Sequence, residues 1–431
     1  MISYHEALDV IRGLAVGREL AGEAVALEEG IGRISACDIS SAECIPPFDN
    51  SAMDGFAVTA SRTRSASVAA PARFRVVGCV AAGDPIFRHD GTPDAAIEIM
   101  TGAAMPEGAL DAVVKVEDVE ILRDSRGKVS EILLRRPLKS RENVRGRGED
   151  FRPGQRALAA GTTIMPEHVM ALASLGVARI EVRRQPLVAV VSTGRELVHH
   201  AEATLAPGMI RNSTAPYLMT ALSRYGARAK YYGAIPDDPG HFIDIMAGIL
   251  RDAPDVILTT GAVSMGKHDF IGAALEKLGA TIRFHKVAIR PGKPLLVADW
   301  EKPFPAGPKK KSPVVFGIPG NPVSTAVGLR FFVEPYLRAV AGLPPEKPMR
   351  AKITADSTKP EGLRCFFKAR MLVSDQGAGV TVLSGQPSFM VSPMLAANAW
   401  AVLPEAENQA RSGTVVDVYP LHPASSGALH D

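Results

Sequence analysis

Val256-Ile257-Leu258-Thr259-Thr260-Gly261-Ala262-Val263-Ser264-Met265-Gly266-Lys267-His268-Asp269 changes character halfway along. The first five residues are apolar or β-branched with no charge among them, the composition of a strand buried on both faces. Small residues follow. Ile271, Ala274, Leu275 and Leu278 then recur at helical spacing until Gly279 stops the pattern. Strand, small-residue turn and helix start form a unit whose free backbone N–H groups can receive an anion. The stretch therefore predicts the floor of a site for a phosphorylated ligand.

The same unit recurs on both sides. Leu187–Val191 is a continuous apolar run followed by Ser192-Thr193-Gly194-Arg195-Glu196-Leu197, and a helix over Thr214–Tyr225 is closed by Gly226. Ala229–Ile235 is a strand followed by Pro236-Asp237-Asp238-Pro239, where Asp238 suits an N-cap and Pro239 the first helical position. Phe242, Ile245, Met246, Ile249 and Leu250 make one apolar stripe behind that cap. Further on, Thr281–Ala288 and Val314–Ile318 read as strands, and a Pro- and Lys-rich insert at 302–313 reads as an exposed hairpin loop. Pro319-Gly320-Asn321-Pro322 then opens a helix that runs to about Ala341. Alternating strands and helices predict an α/β domain with helices on both faces of a mainly parallel sheet. Ligands of such sheets bind at the carboxyl ends of the strands. Four polar clusters fall there by sequence order, at 192–196, 236–238, 259–269 and 317–321.

The flanking regions differ. Ser3-Tyr4-His5-Glu6 is a capping box for an N-terminal helix carrying Leu8, Ile11 and Leu14. Residues 43–58 pack Asp49, Asn50, Ser51, Asp54 and Gly55 behind Pro46-Pro47. They read either as a surface turn or as a polar loop held rigid by Phe48, Met53 and Phe56, presenting Asp54 to a ligand. Residues 72–138 alternate short β-rich runs with turns and predict a mostly β domain, in which Ile97–Met100 ends at a Thr101-Gly102 turn. The run from Arg135 to Arg156 reads as a solvated linker or as an arginine clamp for phosphate oxygens. From Leu343 the short runs predict a small β domain or barrel with a frayed tail after Pro420.

A chain of 431 residues exceeds one core, and a net charge of +3 argues against nonspecific nucleic-acid binding. Cys37, Cys44, Cys79 and Cys365 have no metal or redox spacing. With no basic-then-apolar leader and no apolar run of bilayer length, the expectation is a cytoplasmic protein without a membrane partner.

The stretch Pro46-Pro47-Phe48-Asp49-Asn50-Ser51-Ala52-Met53-Asp54-Gly55-Phe56-Ala57 resembles the N-terminal signature of the molybdopterin molybdenumtransferase family, which includes bacterial MoeA and the E domain of gephyrin. Met100–Ala103, Asn143–Asp150, Ser192–Leu197, Thr260–Asp269, Pro291-Gly292-Lys293-Pro294 and Pro319–Ser324 match further family motifs, in family order. The resemblance implies a multidomain α/β plus β chain, an elongated homodimer. Its expected parts are an extended N-terminal domain (1–48 and 139–185), a mostly β domain (49–138), a three-layer molybdopterin-binding α/β domain (186–342) and a C-terminal β-barrel domain (343–431). It implies insertion of molybdate into adenylylated molybdopterin with release of AMP, dependent on Mg²⁺, with a molybdopterin adenylyltransferase as pathway partner. By motif it assigns site roles to Asp54, Thr101, Asp150, Glu196, Asp237, Asp269, Lys286, Pro319 and Pro322. Ala262 stands where the family usually has a second glycine, and Arg290 where lysine is common.

Physical chemistry sorts these residues into roles. Anionic substrates need positive charge, from Lys286, Arg290, Lys293 and backbone N–H groups near Gly266 and Asn321. Ser192, Thr193, Gly194, Gly261, Ser264 and Gly320 complete the substrate-binding wall. Carboxylates beside an anionic substrate call for a cation, so Glu196, Asp237 and Asp269 are expected to hold Mg²⁺ or its water, with Asp269 equally suited to cap a helix. Two other function classes are a scaffold of the gephyrin E-domain type that anchors receptors, and a nucleotide pyrophosphatase built on the α/β domain alone.

Overall fold

The computed structural model describes residues 1–263, 270–301, 312–375 and 377–422. Ser264, Gly266 and Asp269, the greater part of the expected hairpin insert (302–311) and the tail from 423 lie outside the described residues. The chain divides into two compact units, residues 38–159 with 166–178 in one, and residues 1–37, 160–165 and 179–431 in the other.

The first helix, α1 (Tyr4–Ala15), starts on the expected capping box. Glu6 N donates to Ser3 Oγ at 3.2 Å and Ser3 N donates to Glu6 Oε2 at 2.7 Å. Ala7, Leu8, Ile11 and Ala15 make its buried stripe.

The smaller unit is built on β1 (Gly55–Val58), β2 (Ala72–Val80), β3 (Ala95–Ile99), β4 (Ala112–Lys115), β5 (Val119–Arg123) and β6 (Val129–Leu134). They form one sheet in the order β4-β1-β3-β2-β6-β5, antiparallel except for β2 with β3. Successive side chains of a strand point to opposite faces. Phe56 and Val114 accordingly join Phe74, Ile132 and Leu134 on one side, and Ala57 and Val113 join Ile97 and Ile99 on the other. Helix α2 (Pro166–Ser174) also belongs to this unit and ends before Gly176, whose φ of +72° suits a helix stop.

The larger unit carries β7 (Leu187–Thr193), α3 (Thr214–Arg224), β8 (Arg228–Ile235), α4 (Pro239–Arg251), β9 (Val256–Thr260), α5 (Ile271–Lys277), β10 (Thr281–His285), β11 (Leu296–Asp299), β12 (Val314–Ile318), α6 (Pro322–Gly328) and α7 (Glu334–Val340). The sheet order is β8-β7-β9-β12-β11-β10. The first four strands are mutually parallel; β11 is antiparallel to both of its neighbours. The reversal has a plain cause: about ten residues join β10 to β11, too few for a crossover helix. Val188, Val190, Val256, Leu258, Val314 and Phe316 pack towards α3, α6, α1 and α7, while Ala189, Val191, Ile257 and Val315 pack towards α4 and α5. Both faces are covered, giving the three layers expected. Phe242, Met246, Ile249 and Leu250 of α4 are buried, each contributing about 1.5–3 kcal/mol.

The helix expected from Pro322 to about Ala341 is interrupted. Leu329–Val333 forms one π turn between α6 and α7. Pro335 has no N–H to offer the Phe331 carbonyl, so the regular ladder cannot continue there.

After α7, β13 (Met349–Ile353), β14 (Arg364–Ser374), β15 (Gly377–Val382), β16 (Ala399–Leu403) and β17 (Val415–Pro420) close on themselves in the order β14-β15-β13-β17-β16 and back to β14. Ala351, Ile353, Ala369, Val380, Ala401, Leu403 and Val418 fill this barrel. Closure leaves no unpaired sheet edge among these five strands.

Candidate functional site

In the larger unit, the chain leaves β7 for β8 on one side and returns from β8 to β9 on the other. The carboxyl ends of β7 and β9 therefore flank a topological switch point, where open α/β sheets hold ligands. Gly261, the first residue after β9, has φ +91°. A Cβ on it would lie 2.6 Å from the Thr193 carbonyl oxygen and 2.7 Å from Thr193 Oγ1. A Cβ on Gly320, in the turn after β12, would lie 3.5 Å from Gly261 Cα. Gly194 N donates to the Ile235 carbonyl at 3.0 Å, joining the turns after β7 and β8. The four loops thus share one edge of the sheet.

Side chains there have distinct environments. Ser192 is fully buried and its Oγ accepts from Asn212 Nδ2 at 3.0 Å. Thr193 Oγ1 donates to the Thr260 carbonyl at 3.1 Å. Glu196 is half-buried and folds back so that a Cβ on Gly194 would meet both its carboxylate oxygens at 2.8 Å. Asp237 is half-buried, and Asp238 beside it caps α4, accepting from His241 N at 2.7 Å. Ala262 has φ +48°, the left-handed region that a glycine adopts more easily. Among the described residues no three His, Cys, Asp or Glu side chains gather as a metal cage.

The cations lie on the next segment. Lys286 has φ +72°; its N–H donates to the Leu295 carbonyl at 2.8 Å and its carbonyl accepts from Ile2 N at 3.1 Å. Arg290 and Lys293 are exposed. His285 Nε2 lies 2.8 Å from the Val263 carbonyl, tying the end of β10 to the loop after β9. At α6, Pro319 is buried, Asn321 is the N-cap and Pro322 the first helical residue. The backbone N–H groups near Asn321 were expected to serve an anion, and one of them is not free. Val323 N donates to the Ser388 carbonyl at 2.9 Å, so a loop of the barrel occupies one of them.

Sequence reading missed what holds that loop. Lys368 on β14 is fully buried and its Nζ donates to the carbonyls of Gly385 at 2.5 Å, Met390 at 3.0 Å and Pro387 at 3.2 Å. A lysine between Phe367 and Ala369 in the run Cys365–Leu372 was the available signal. Asn212 was missed too; besides Ser192 it bonds Tyr231 Oη at 3.0 Å and accepts from Ala215 N at 3.1 Å, which caps α3.

In the smaller unit, Asp54 is exposed and Oδ1 accepts from both Thr101 N and Thr101 Oγ1. Those two bonds hold its carboxyl below the usual carboxylate range. Asp150 is exposed, and its N–H donates to the Ile45 carbonyl at 2.9 Å. The loop is rigid for a reason other than the one expected. Phe56 is buried, but Phe48 and Met53 are 41% and 38% exposed. Backbone bonds do the holding: Gly102 N to Ser51 O at 2.8 Å, Ser51 N to Ala103 O at 2.9 Å, and Ala52 N to Asn143 O at 2.9 Å. Four of the seven arginines from 135 to 156 are paired with acids. Arg141 pairs with Asp49, Arg136 with Asp118 and Glu142, Arg135 with Glu120, and Arg156 with Asp38. Arg141 and the Arg147 N–H hold Asp49 below the carboxylate range as well.

Three family models match the chain in succession. They describe the MoeA N-terminal region (domain I and II) over residues 2–176, a probable molybdopterin binding domain over 189–339, and the MoeA C-terminal region (domain IV) over 350–421. The chain is 37% identical to the molybdopterin molybdenumtransferase of Synechococcus elongatus, covering 98% of this chain and 100% of that one. It is 35% identical to the enzyme of the same name from Bacillus subtilis, over 92% of this chain and 89% of the other. A crystal structure of the molybdopterin biosynthesis MoeA protein from Pyrococcus horikoshii superposes with a TM-score of 0.79 at 27% identity, covering 97% of this chain and 99% of that one. With matches spanning its length in sequence and in structure, the chain belongs to the molybdopterin molybdenumtransferases, the MoeA family of transferases in molybdenum cofactor biosynthesis.

Proposed function

We propose that this chain inserts molybdate into the dithiolene of adenylylated molybdopterin, releasing AMP and molybdenum cofactor. The observation that carries the proposal is the approach of Gly261 to Thr193 and of Gly320 to Gly261, at the switch point of the domain matched as molybdopterin-binding. The lack of a side chain at Gly261 lets the turns after β7 and β9 close on each other, its own N–H donating to the Ile318 carbonyl at 3.0 Å, and the exposed Gly320 leaves its backbone open to a pterin phosphate or pyrophosphate. Ser192, Thr193 and Gly194 shape the wall after β7. Pro319, Gly320, Asn321 and Pro322 shape the wall after β12, and Lys286, Arg290 and Lys293 supply positive charge to the anionic substrates. By motif, Ser264 and Gly266 are further substrate-binding residues of this reading, and Asp54, Thr101 and Asp150 its further acid and hydroxyl groups.

The donor set suits Mg²⁺. Glu196 and Asp237 are half-buried carboxylates at the ends of neighbouring strands, and no closed protein cage forms among the described residues. Mg²⁺ characteristically takes one or two carboxylates and completes its shell with water and substrate phosphates. Asp269 is the third proposed ligand. Held by these carboxylates, Mg²⁺ would offset charge developing on the pyrophosphate. The proposed assembly is a homodimer in the cytoplasm, supplied with substrate by a molybdopterin adenylyltransferase. Among the described residues no helix is long and apolar enough to cross a membrane.

The test is an AMP-release assay with purified chain, adenylylated molybdopterin and Mg²⁺ while molybdate is titrated. AMP should appear in proportion to molybdate, and Glu196→Gln should stop it without unfolding the protein. Release from simple dinucleotides without molybdate would instead make the chain a pyrophosphatase.

A further inference from the structure

The larger unit holds a cavity of about 410 Å³ at the edge of its sheet opposite the switch point. Pro186 and Gly226, which line it, lead into β7 and β8 at their amino ends. The length of β7, roughly 20 Å at 3.3 Å per residue, separates this cavity from the loops that carry Thr193 and Glu196.

Its wall is cationic. Arg33, Arg183, Arg184, Arg224 and Arg338 line it, with Glu334 as the sole lining carboxylate among the described residues. Three of these arginines have acidic partners: Arg184 makes two bonds to Asp255, at 2.8 and 2.6 Å, Arg33 pairs with Glu23, and Arg338 lies 3.6 Å from Glu334. Arg183 and Arg224 have none among the described residues; Arg183 donates from Nη1 to the Leu20 carbonyl at 2.8 Å. The cavity therefore keeps a positive excess.

A second observation points the same way. Tyr225 Oη and His422 Nδ1 are buried without a hydrogen-bond partner among the described residues, and both residues line this cavity, their rings 6.3 Å apart. A tyrosine hydroxyl has a proton to give, and so has imidazole Nδ1 in one of its tautomers. Buried polar atoms are ordinarily satisfied, and such an orphan marks a missing partner. Burial together with the nearby Arg224 and Arg330 also holds His422 below the ordinary imidazole range, as a positive surrounding would.

We propose that this cavity binds a small organic anion bearing carboxylate or phosphate groups, with Arg183 and Arg224 neutralising the charge and Tyr225 Oη donating to it. Its size is that of a small-molecule pocket rather than of a single water or ion. Its place at the far edge of the sheet keeps it clear of the loops proposed to hold the pterin.

The test uses the full chain with two probes, citrate and inorganic phosphate, each against sodium chloride at matched ionic strength. At least one should bind saturably by calorimetry and raise the Tm above the chloride control; which one does so distinguishes the carboxylate from the phosphate source. Tyr225→Phe, which keeps the ring, should weaken binding roughly tenfold, the loss of one charge-assisted bond. Arg224→Gln should weaken it at least as much, and Lys128→Ala, in the exposed turn between β5 and β6 of the smaller unit, should bind as the wild type does. No stabilisation beyond chloride, wild-type binding by Tyr225→Phe and Arg224→Gln, or loss of binding in Lys128→Ala would each overturn the proposal.

Discussion

Asp54 Oδ1 accepts two hydrogen bonds from a single residue, 2.7 Å from the Thr101 amide nitrogen and 2.9 Å from the Thr101 hydroxyl. The two residues are 47 positions apart in sequence, and this contact makes one acidic unit of two motifs. Both bonds favour the ionised carboxylate, so its folded pKa is lowered. A lowered carboxyl contributes stability above its unfolded pKa and loses it as pH falls through the folded value. Thr101→Val removes the hydroxyl bond and keeps the amide bond. The Asp54 titration, followed by carboxyl-carbon NMR, should move up towards the ordinary range while the fold persists. An unmoved titration would show that the hydroxyl contributes nothing. AMP release should fall in Thr101→Val and fall further in Asp54→Asn.

Gly261→Ala places a methyl 2.6 Å from a backbone oxygen that cannot rotate away, at φ +91°. Strain and steric displacement together should cost about 2–4 kcal/mol. Thermal unfolding measures the loss, and a variant as stable as the wild type would show that the loops after β7 and β9 are not in close contact.

Ala262→Gly should act in the opposite direction. The left-handed backbone at φ +48° costs an alanine about 1 kcal/mol, part of which is offset by the extra freedom glycine brings to the unfolded chain. The expected result is a Tm equal to or slightly above that of the wild type. A clear drop in Tm would mean that Ala262 packs with more benefit than its backbone costs.

Lys368→Met removes an ammonium that serves three carbonyls of the 385–390 loop. Leaving buried carbonyls without a donor costs about 1–3 kcal/mol for the first, with less for any that water can reach. Hydrogen exchange should rise at Val323, whose N–H depends on Ser388 of the same loop. Unchanged protection there would separate the lysine from the start of α6.

Local signals were read well and remote ones poorly, for a physical reason. The capping box at Ser3, the cap at Asp238 and the stripe on α4 each depend on residues within about one or two helical turns, so a short window contains the whole interaction. The antiparallel β10 and β11 depend on the length of a connection rather than on composition, so the expectation of a mainly parallel sheet did not say which strands run against the others. The arginine run from 135 to 156 left a linker and a phosphate clamp both open, because the acids that pair four of its arginines, Asp38, Asp49, Asp118 and Glu120, lie 15 to 118 positions upstream and carry no mark of the pairing. Phe48 and Met53 were expected to brace the loop because apolar residues usually bury themselves, yet the sheet beneath accommodates Phe56 alone of the three.

By itself the amino-acid sequence determined the kinds and order of the elements, the family, and the motifs that supply acids, cations and glycine turns. These follow from backbone propensity, side-chain periodicity and capping, all of them short-range energies. The tertiary structure alone decided which turns meet: Gly261 against the Thr193 carbonyl, Gly320 against Gly261, and Asp54 beneath Thr101. It also decided that five strands close into a barrel and that a buried lysine there reaches the loop beside α6. Such contacts join residues tens of positions apart, and their energies exist only once loop closure has brought those residues together.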